Sequence, residues 1–444
     1  MTAHTRDNKP LIAFFKDVDK EDIALVGGKG ANLGEMTQAG FPVPNGFAIT
    51  VPSYDLFIER NNLFSRINAI LEATDVNQPD QLEDTSRKIQ RLMTTNEIPK
   101  EVSQEVIKAY KKLSGVFIHE LVAVRSSATA EDLPGASFAG QQATYLNVRG
   151  EANLLVATRD CWASLFTPRA IFYREQNKIS HKKVKISVMV QKMVQSEVSG
   201  VMFTVDPVTN EKDRIVIEAV WGLGEMIVQG SVVPDRYVVQ KETFSILSKE
   251  ISDQPVQLIK VGSENKEVDV PKEKRERQKI TNDEIIYLAK LGDKLQKHYY
   301  FPQDIEWAKD KQKIYIVQTR PVTTLRRAQG KLQKGSGEDY KTAETPILTG
   351  AAASPGIGTG PVKILDSPKQ IGKVKEGDVL VAKMTSPDYV PAMKKAVAIV
   401  TDEGGMTSHA AIVSRELGVP CIVGTSHATK KLKDNQIVTV DGSR

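Results

Sequence analysis

Residues 396–415 contain the pattern that most restricts the fold of this chain. Residues 396–401 (AVAIVT) are short, apolar and rich in β-branched side chains, which predicts a buried strand. Two glycines and two hydroxyl residues follow, and His409 then begins a helical pattern that stops near Gly418. A strand, a glycine turn and a helix in this order predict an α/β unit with His409 in the first helical turn.

The predicted position of His409 suits a side chain that becomes negatively charged. Backbone N–H groups in a first helical turn have no intrahelical partner, and the positive end of the helix dipole lies there. A phosphorylated histidine would be stabilised by about 0.3–1 kcal/mol, or by up to ~2 kcal/mol if partly buried. Thr407, two residues earlier, could orient the ring. By itself the pattern more often indicates a capped helix with a solvent-facing histidine. Other segments must therefore decide between this interpretation and a phosphorylated histidine.

Composition and length set broad limits on the kind of protein. The 444 residues predict two to four domains, and the +5 net charge, from 60 basic and 55 acidic residues, does not indicate a nucleic-acid or membrane partner. Cys161 and Cys421 match no metal-binding spacing, so we expect two buried thiols in a reducing compartment. No signal peptide and no bilayer-spanning run is evident, which predicts a cytoplasmic protein.

Residues 26–36 (VGGKGANLGEM) form the first candidate ligand site, because three glycines surround Lys29 before a helical pattern. A flexible loop at a helix start offers backbone N–H donors and one mobile cation, which suits phosphate oxygens. The segment is not a Walker loop, since Gly30 follows Lys29 where that loop has Ser or Thr. A glycine turn with a surface lysine remains an equal alternative.

Residues 121–148 form a second candidate, in which a strand ends at Val124 and Arg125 precedes a long loop rich in Ala, Gly and Ser. An arginine at a strand end can hold a phosphoryl oxygen with its guanidinium fork. Long loops inside compact domains tend to be functional. The alternative is a structural arginine paired with Glu131 or Asp132.

Residues 303–308 (QDIEWA) and 313–321 (KIYIVQTRP) predict two strands joined by a polar turn. Pairing across this hairpin would place Glu306 near Gln318, and strand alternation would point Arg320 the same way as Gln318. A carboxylate beside an amide oxygen suits Mg²⁺ that carries nucleotide phosphates. A plain cross-strand polar pair is the alternative.

The other segments of the sequence indicate how the chain is divided into domains. Residues 53–120 are mostly helical in pattern, whereas residues 249–280 are charged and predict a solvated excursion without a site. Residues 324–345 are polar without apolar periodicity and predict a linker, which spans about 70 Å when extended and roughly 25 Å as a coil. Residues 346–444 predict a compact α/β unit.

These segments resemble the family of phosphoenolpyruvate-utilising enzymes, which includes the phosphoenolpyruvate synthases (pyruvate, water dikinases) and pyruvate phosphate dikinase. The resemblance rests on GGKGANLGEM, VRSSATAEDLPGASFAGQQ, SGVMFTVDP, DIEWA and QTRPVT, and most specifically on GGMTSHAAIVSR. It implies an α/β and α+β multidomain fold: an ATP-grasp-type nucleotide-binding domain at residues 1–323, a linker at 324–345 and a swivelling α/β phosphohistidine domain at 346–444.

The resemblance also implies roles for individual residues. His409 would carry the phosphoryl group, with Arg125 and Thr407 assisting in catalysis. The ATP phosphates would be bound by three cations, Lys29, Arg125 and Arg320. Glu306 and Gln318 would hold Mg²⁺ as the cofactor. The adenine would be met by residues 191–194, among them Gln191 and Met193, and Glu218 would face the nucleotide.

The implied reaction takes a phosphoryl group from ATP through His409 to pyruvate and yields phosphoenolpyruvate, AMP and phosphate. In the family, a pyruvate-binding barrel follows the histidine domain, whereas this sequence ends at Arg444. We therefore expect the acceptor site to be missing here, either because the sequence is a fragment or because the site lies on another polypeptide.

Several alternatives stay open at this point. A pyruvate phosphate dikinase would use orthophosphate, and a rifampin phosphotransferase would have a large domain where this chain has the linker. A non-catalytic nucleotide-binding or phosphocarrier module is a further alternative. The sequence does not specify an oligomeric state and leaves a homodimer open.

Overall fold

The computed structural model describes residues 10–76, 78–114, 119–129, 143–262, 264–322, 346–406 and 408–443. The chain forms two compact units. The first contains Met1–Val194, Lys260–Asn265 and Tyr315–Thr319, and the second contains Gln195–Ile259, Lys266–Ile314 and Arg320–Arg444. Thr407, Glu131, Asp132 and the predicted linker 324–345 lie outside the described residues, so the predicted domain limits stay a prediction.

A five-stranded antiparallel sheet lies at the centre of the first unit. Its order is β1-β2-β5-β3-β4, and its strands are β1 (Ile12–Phe14), β2 (Gly46–Ile49), β3 (Val122–Ala128), β4 (Thr144–Val148) and β5 (Ile186–Lys192). The inner strands β2 and β5 are buried along almost their whole length, which agrees with their unbroken apolar runs.

Helices account for most of the rest of the first unit. They are α1 (Ile23–Gln38), α2 (Val51–Arg60), α3 (Leu63–Glu72), α4 (Pro79–Thr95), α5 (Lys100–Ser114), α6 (Glu151–Ala163) and α7 (Pro168–Gln176). Four of them, α2 to α5, confirm the predicted helical pattern of residues 53–120. Their apolar faces pack around the fully buried Trp162, whose ring stacks on Phe57 with centroids 4.8 Å apart.

The lysine segment of the first unit differs from the predicted loop. Helix α1 runs through it with a single kink at Gly27, where φ is 68°. A Cβ atom at this position would lie 2.3 Å from Ser127 Oγ, so glycine is required both by the backbone and by the space. Lys29 consequently lies in the first turn after a kink in a helix.

The second unit contains most of a six-stranded sheet with the order β13-β12-β6-β7-β8-β9. The pairs from β12 to β9 are antiparallel, and residues 315–319 of β13 belong to the first unit. Its strands are β6 (Val198–Phe203), β7 (Arg214–Trp221), β8 (Asp235–Gln240), β9 (Ile246–Glu250), β12 (Gln303–Lys309) and β13 (Ile314–Pro321). Between β9 and β12 lie a two-stranded sheet, β10 (Val256–Val261) with β11 (Glu264–Asp269), and the helices α9 (Lys272–Arg275) and α10 (Asn282–Tyr299). A short helix, α8 (Glu225–Gln229), follows β7.

The second sheet of this unit is built from residues 351–441. Its strands are β14 (Ala351–Ser354), β15 (Ile357–Leu365), β16 (Val379–Ala382), β17 (Ala398–Thr401), β18 (Cys421–Val423) and β19 (Ile437–Asp441), in the order β14-β18-β17-β16-β15-β19. The four inner strands are parallel and the two edge strands antiparallel. Its helices are α11 (Val390–Met393), α12 (His409–Leu417) and α13 (Ala428–Lys431). The α/β fold predicted for these residues is thus present, but they belong to a larger compact unit, so a separate unit at residues 346–444 stays a prediction.

The two sheets of the second unit share one apolar core. Val201 and Phe203 of β6 belong to the same buried cluster as Met406, Ala410 and Ala411. The other face of the six-stranded sheet packs on α10, where a Cβ at Gly292 would come within 2.8 Å of Met202 Sδ. One face of this sheet is therefore covered by the fold that contains His409.

The prediction of a solvated excursion at residues 249–280 agrees with the structure at most of its described positions, which are exposed or half-buried. The burial of Lys279 is a departure that the sequence did not indicate. Lys279 is fully buried and its Nζ lies 2.6 Å from Oδ1 of the equally buried Asp235. The Tyr237 hydroxyl donates to the other oxygen of Asp235 at 2.6 Å, and Lys279 also donates to Ser252 O at 2.8 Å. The charges of this segment were visible in the sequence, but their buried partner lies more than 40 positions away.

The two cysteines and the apolar character of the helices bear on expectations from the composition. Cys161 and Cys421 are both free thiols with no exposed surface, as expected. No helix among the described residues combines the length and the apolar character needed to cross a membrane.

Candidate active site

His409 is the first residue of α12, as predicted. Ser408 caps the helix by accepting a hydrogen bond from the Ala411 N–H at 3.4 Å, and Gly418, with φ 68°, ends it. The His409 ring is half-buried, and its Nδ1 lies 2.9 Å from the Thr385 hydroxyl. The side chain that orients the ring is therefore Thr385, whereas Thr407, expected for this role, lies outside the described residues.

Thr385 was missed in the sequence, although a signal for it existed. It follows β16, and His409 follows β17, the parallel neighbour of β16. The carboxyl ends of parallel strands meet at the same edge of a sheet, where ligand sites of open α/β folds form. A hydroxyl residue placed three positions after β16 was thus a candidate partner for His409.

The described residues before His409, residues 404–406 and Ser408, are here called the histidine loop, and Arg415 links Met406 of this loop to α12. Its Nη2 donates to Met406 O and its Nε donates to Ala411 O at 3.0 Å. Gly404 has φ 115°, and a Cβ there would lie 2.8 Å from Ser408 Oγ. Burial lowers the pKa of Arg415, while Asp304 and Glu218 oppose this shift. Arg415 therefore connects the described part of the loop to the helix that begins with His409.

Glu218 contacts the histidine loop directly. Its Oε1 accepts the Met406 N–H at 3.1 Å, and its Oε2 has no hydrogen-bond partner among the described residues. Burial raises the pKa of Glu218 to about 7, against the lowering effects of the Met406 N–H, Arg236 and Arg415. Glu218, predicted to face the nucleotide, thus joins the six-stranded sheet to the histidine loop.

The strand register puts Glu306 on the same face of the sheet as Glu218. Glu306 lies opposite Val201, and Val201 lies opposite Glu218. Residues directly opposite each other in antiparallel strands share a face. The histidine-bearing fold covers this same face through Val201. Two carboxylates and His409 therefore belong to one side of one sheet.

Arg320 is held by Asp304, a partner that the sequence analysis missed. Nε and Nη2 of Arg320 both lie 2.9 Å from Asp304 Oδ2. Asp304 raises the pKa of Arg320, so the guanidinium stays charged. The Arg320 side chain is 44% exposed, which leaves it accessible to an anionic ligand.

In the first unit, Lys29 contacts β3, the strand that bears Arg125. Lys29 Nζ donates to Ser126 O at 3.2 Å, directly after Arg125 in β3. The Ser127 hydroxyl donates to Val26 O at 3.1 Å and ties β3 to the kink of α1. Lys29 therefore contacts the strand that bears Arg125. Because β3 continues to Ala128, Arg125 lies within the strand, whereas it had been predicted at the strand end.

Gln191 and Met193 lie at the end of β5, next to β3. Gln191 is opposite Ala123, two positions from Arg125, and the Met193 N–H donates to Leu121 O at 2.8 Å. Gln191 is 2% exposed, and its Nε2 has no hydrogen-bond partner within the described ranges. A buried amide donor of this kind suits a ligand that brings an acceptor.

The proposed metal ligands are assigned to different units, Glu306 to the second and Gln318 to the first. The strands that hold them, β12 and β13, are neighbours in the sheet order, as predicted for the hairpin. The joint use of the two side chains stays a prediction. In the part of the chain that the structure describes, no three His, Cys, Asp or Glu side chains form a metal site.

Two family models match this chain. Residues 23–339 match the pyruvate phosphate dikinase, AMP/ATP-binding domain, and residues 374–444 match the PEP-utilising enzyme, mobile domain. The first match alone covers more than half of the chain. The chain belongs to the pyruvate phosphate dikinase family.

Relatives in this family are named phosphoenolpyruvate synthase or probable phosphoenolpyruvate synthase. The protein of Pyrococcus furiosus is 48% identical, and the match covers 98% of this chain and 58% of that protein. The Archaeoglobus fulgidus protein is 50% identical with 98% and 57% coverage, and the Methanothermobacter thermautotrophicus protein is 47% identical with 98% and 62% coverage. The chain thus spans about three-fifths of the length of these relatives.

Proposed function

We propose that this member of the pyruvate phosphate dikinase family transfers a phosphoryl group from ATP to His409. In the whole protein the group then passes to pyruvate, so that ATP, pyruvate and water give phosphoenolpyruvate, AMP and phosphate. The main support is the position of His409, at a helix start, with its ring held by Thr385 at 2.9 Å. The names of the relatives support the acceptor.

The ATP phosphates are assigned to Lys29, Arg125 and Arg320. Phosphoryl transfer depends mostly on alignment and charge neutralisation, so cations placed at the phosphates account for most of the work of the nucleotide domain. Lys29 lies beside β3, which bears Arg125, and Arg320 is charged and accessible. We assign the adenine to Gln191 and Met193, because the buried Gln191 amide can donate to a ring nitrogen.

Mg²⁺ fits the donor set of Glu306 and Gln318. One carboxylate and one amide oxygen are too few for an all-protein cage, but Mg²⁺ commonly takes one or two carboxylates together with substrate phosphates. The lack of a three-ligand cluster among the described residues agrees with this mode. When bound, Mg²⁺ would neutralise phosphate charge, and this chain would contribute only these two side chains to it.

His409 reacts as a neutral imidazole. Because Nδ1 is engaged by the Thr385 hydroxyl, we assign the attack to Nε2. A bond forms between Nε2 and the β-phosphorus, and the bond from that phosphorus to the α-phosphate oxygen breaks, so that AMP leaves. Water then releases the terminal group as phosphate, and the β-phosphoryl group stays on His409. The positive end of α12 stabilises the new anion.

Transfer to pyruvate requires His409 to leave the donor site. We propose an ATP-grasp-type nucleotide-binding domain at residues 1–323, and residues 346–444 as a swivelling domain on the linker 324–345. The match of residues 374–444 to a mobile domain supports this arrangement. The Glu218–Met406 hydrogen bond would then belong to the docked, donor-side position.

Labelling with ATP that bears ³²P at the β position tests the proposal. With Mg²⁺, the chain should take up acid-labile, alkali-stable label, and His409→Ala should take up none. His427→Ala is the matched control, because His427 is an exposed histidine of the same unit and should be dispensable. Label on His409→Ala would show that the carrier assignment is wrong.

A further inference from the structure

Gly405 of the histidine loop faces Pro234 at very short range. A Cβ atom on Gly405 would lie 2.9 Å from both Cγ and Cδ of Pro234, and 3.5 Å from Glu218 Oε2. These three nearest atoms all belong to the opposing surface. Gly405 does not have the positive φ that favours glycine, so the backbone there would accept alanine. The restriction on side-chain size at position 405 is imposed by the opposing surface.

The same surface meets the histidine loop at other points. A Cβ on Gly230 would lie 3.0 Å from Ser408 Cβ and 3.2 Å from Gly404 Cα. Met406 donates its N–H to Glu218. Glu218, Gly230 and Pro234 therefore form a continuous surface, here called the seat, on which the loop before His409 rests.

The seat is braced by buried polar groups. Pro234 O accepts a hydrogen bond from the Ser252 hydroxyl at 2.9 Å. The next residue, Asp235, is fully buried and forms the 2.6 Å ion pair with Lys279. Because these bonds fix the backbone at the Pro234 carbonyl and at the next residue, we expect the Pro234 ring to move little when a methyl group is added to Gly405.

We propose that Pro234 is a positioning residue for the phosphorylation of His409. Its ring fills the space that the missing side chain of Gly405 leaves, and this fit fixes the histidine loop, and with it α12, at one distance from the six-stranded sheet. The inference rests on the proposed function, because the pose it sets is the one in which His409 meets ATP. In this role Pro234 acts through Gly405 and takes no part in the chemistry itself.

Gly405→Ala and Pro234→Ala, alone and combined, test the fit. Gly405→Ala should lower the initial rate of label uptake from β-³²P ATP about tenfold or more, since overpacked contacts are strongly unfavourable. The double variant lacks Cγ and Cδ of Pro234, and its rate should return to within about threefold of the wild type. Gly372→Ala is the matched control, because no atom lies within 4 Å of a Cβ at that position, and its rate should not change.

Phosphoramidate, a small chemical donor that phosphorylates histidine without ATP, separates positioning from damage to the loop. All variants should accept phosphoryl groups from phosphoramidate within about twofold of the wild-type rate, since that reaction needs no docking. Wild-type ATP labelling of Gly405→Ala would overturn the inference, as would a double variant that stays as slow as Gly405→Ala. Both results leave the proposed function standing. Absence of ATP-derived label on the wild type would overturn both.

Discussion

The backbone N–H of Met406 donates a 3.1 Å hydrogen bond to Oε1 of Glu218, a carboxyl group that is 1% exposed. The bond links the loop before His409 to β7 of the six-stranded sheet. Burial raises the pKa of Glu218 to about 7 although three neighbouring groups favour its ionised form. The contact that holds the histidine loop is therefore sensitive to protons in the neutral range.

We predict that the second unit loses stability as the pH rises from about 4.5 to 7. In this range Glu218 is protonated in the folded state and ionised in the unfolded state, whose pKa is near the ordinary value of 4.5. The unfolded state then binds fewer protons, so the free energy of unfolding falls with pH, by at most about 3 kcal/mol. Urea unfolding between pH 4 and pH 8 measures how the free energy of unfolding changes with pH.

Glu218→Gln supplies the comparison for this slope. Glutamine keeps an oxygen for the Met406 N–H but does not titrate, so the variant should lack the part of the slope due to position 218. Glu250→Gln is a suitable control, because Glu250 pairs with Arg236 on the same sheet and its side chain is 62% exposed. A slope that is equal in wild type and Glu218→Gln would contradict the assignment.

The strand predicted at residues 396–401 and the helix predicted from His409 to near Gly418 agree with β17 and α12 to within two residues at their ends. This was feasible because inner parallel strands are buried on both faces and appear as unbroken apolar runs, as in β16 and β17. Within residues 249–280 the burial of Lys279 was missed, because it depends on a distant partner. Exposed and buried lysines are indistinguishable in a sequence, and Lys279 is buried only because Asp235 lies opposite.

In the candidate site, too, the sequence did not show which distant residues the fold brings together. Lys29 and Arg125 were found by local patterns, whereas Gln191, Met193 and Glu218 followed only from the family resemblance. Thr385 and Asp304 were missed because their importance depends on a second residue that is brought close only by the fold, His409 and Arg320 respectively. Glu218 was found but given a different contact, since nothing in the sequence indicates what packs on its side of the sheet.

Thr385→Val should slow the labelling of His409 from ATP by roughly threefold to tenfold. Valine has the shape of threonine but cannot bond Nδ1, and a hydrogen bond of this kind contributes about 0.5–1.5 kcal/mol. Thr385→Ser retains the hydroxyl and should stay near the wild-type rate. Initial rates with β-³²P ATP and the ¹⁵N shifts of the ring nitrogens report rate and tautomer. Equal rates for the two variants would remove Thr385 from the mechanism.

Lys279→Met should destabilise the second unit by about 3–5 kcal/mol, because it leaves the Asp235 carboxylate buried without a counter-charge. Adding Asp235→Asn removes that charge, so the double variant should regain most of the lost free energy of unfolding. Lys297→Met is the control: its pair with Asp293 is also short, at 2.7 Å, but Lys297 is 76% exposed, so the cost should stay below about 1 kcal/mol. Urea unfolding compares the three, and a small effect of Lys279→Met would contradict a structural role for the pair.

Arg320→Ala should separate activity from stability. We expect about a hundredfold loss of ATP-dependent labelling, as when a preorganised charge-stabilising group is removed from an active site. Its ion pair with Asp304 is 44% exposed on the arginine side, so the free energy of unfolding should change by less than about 1 kcal/mol. Arg214→Ala is the matched control, since Arg214 lies on the same sheet, is 37% exposed and pairs with Glu211 at 3.0 Å. Arg214→Ala should label normally. If Arg320→Ala also labelled normally, the phosphate-binding role of Arg320 would be lost, and its bond to Asp304 would be purely structural.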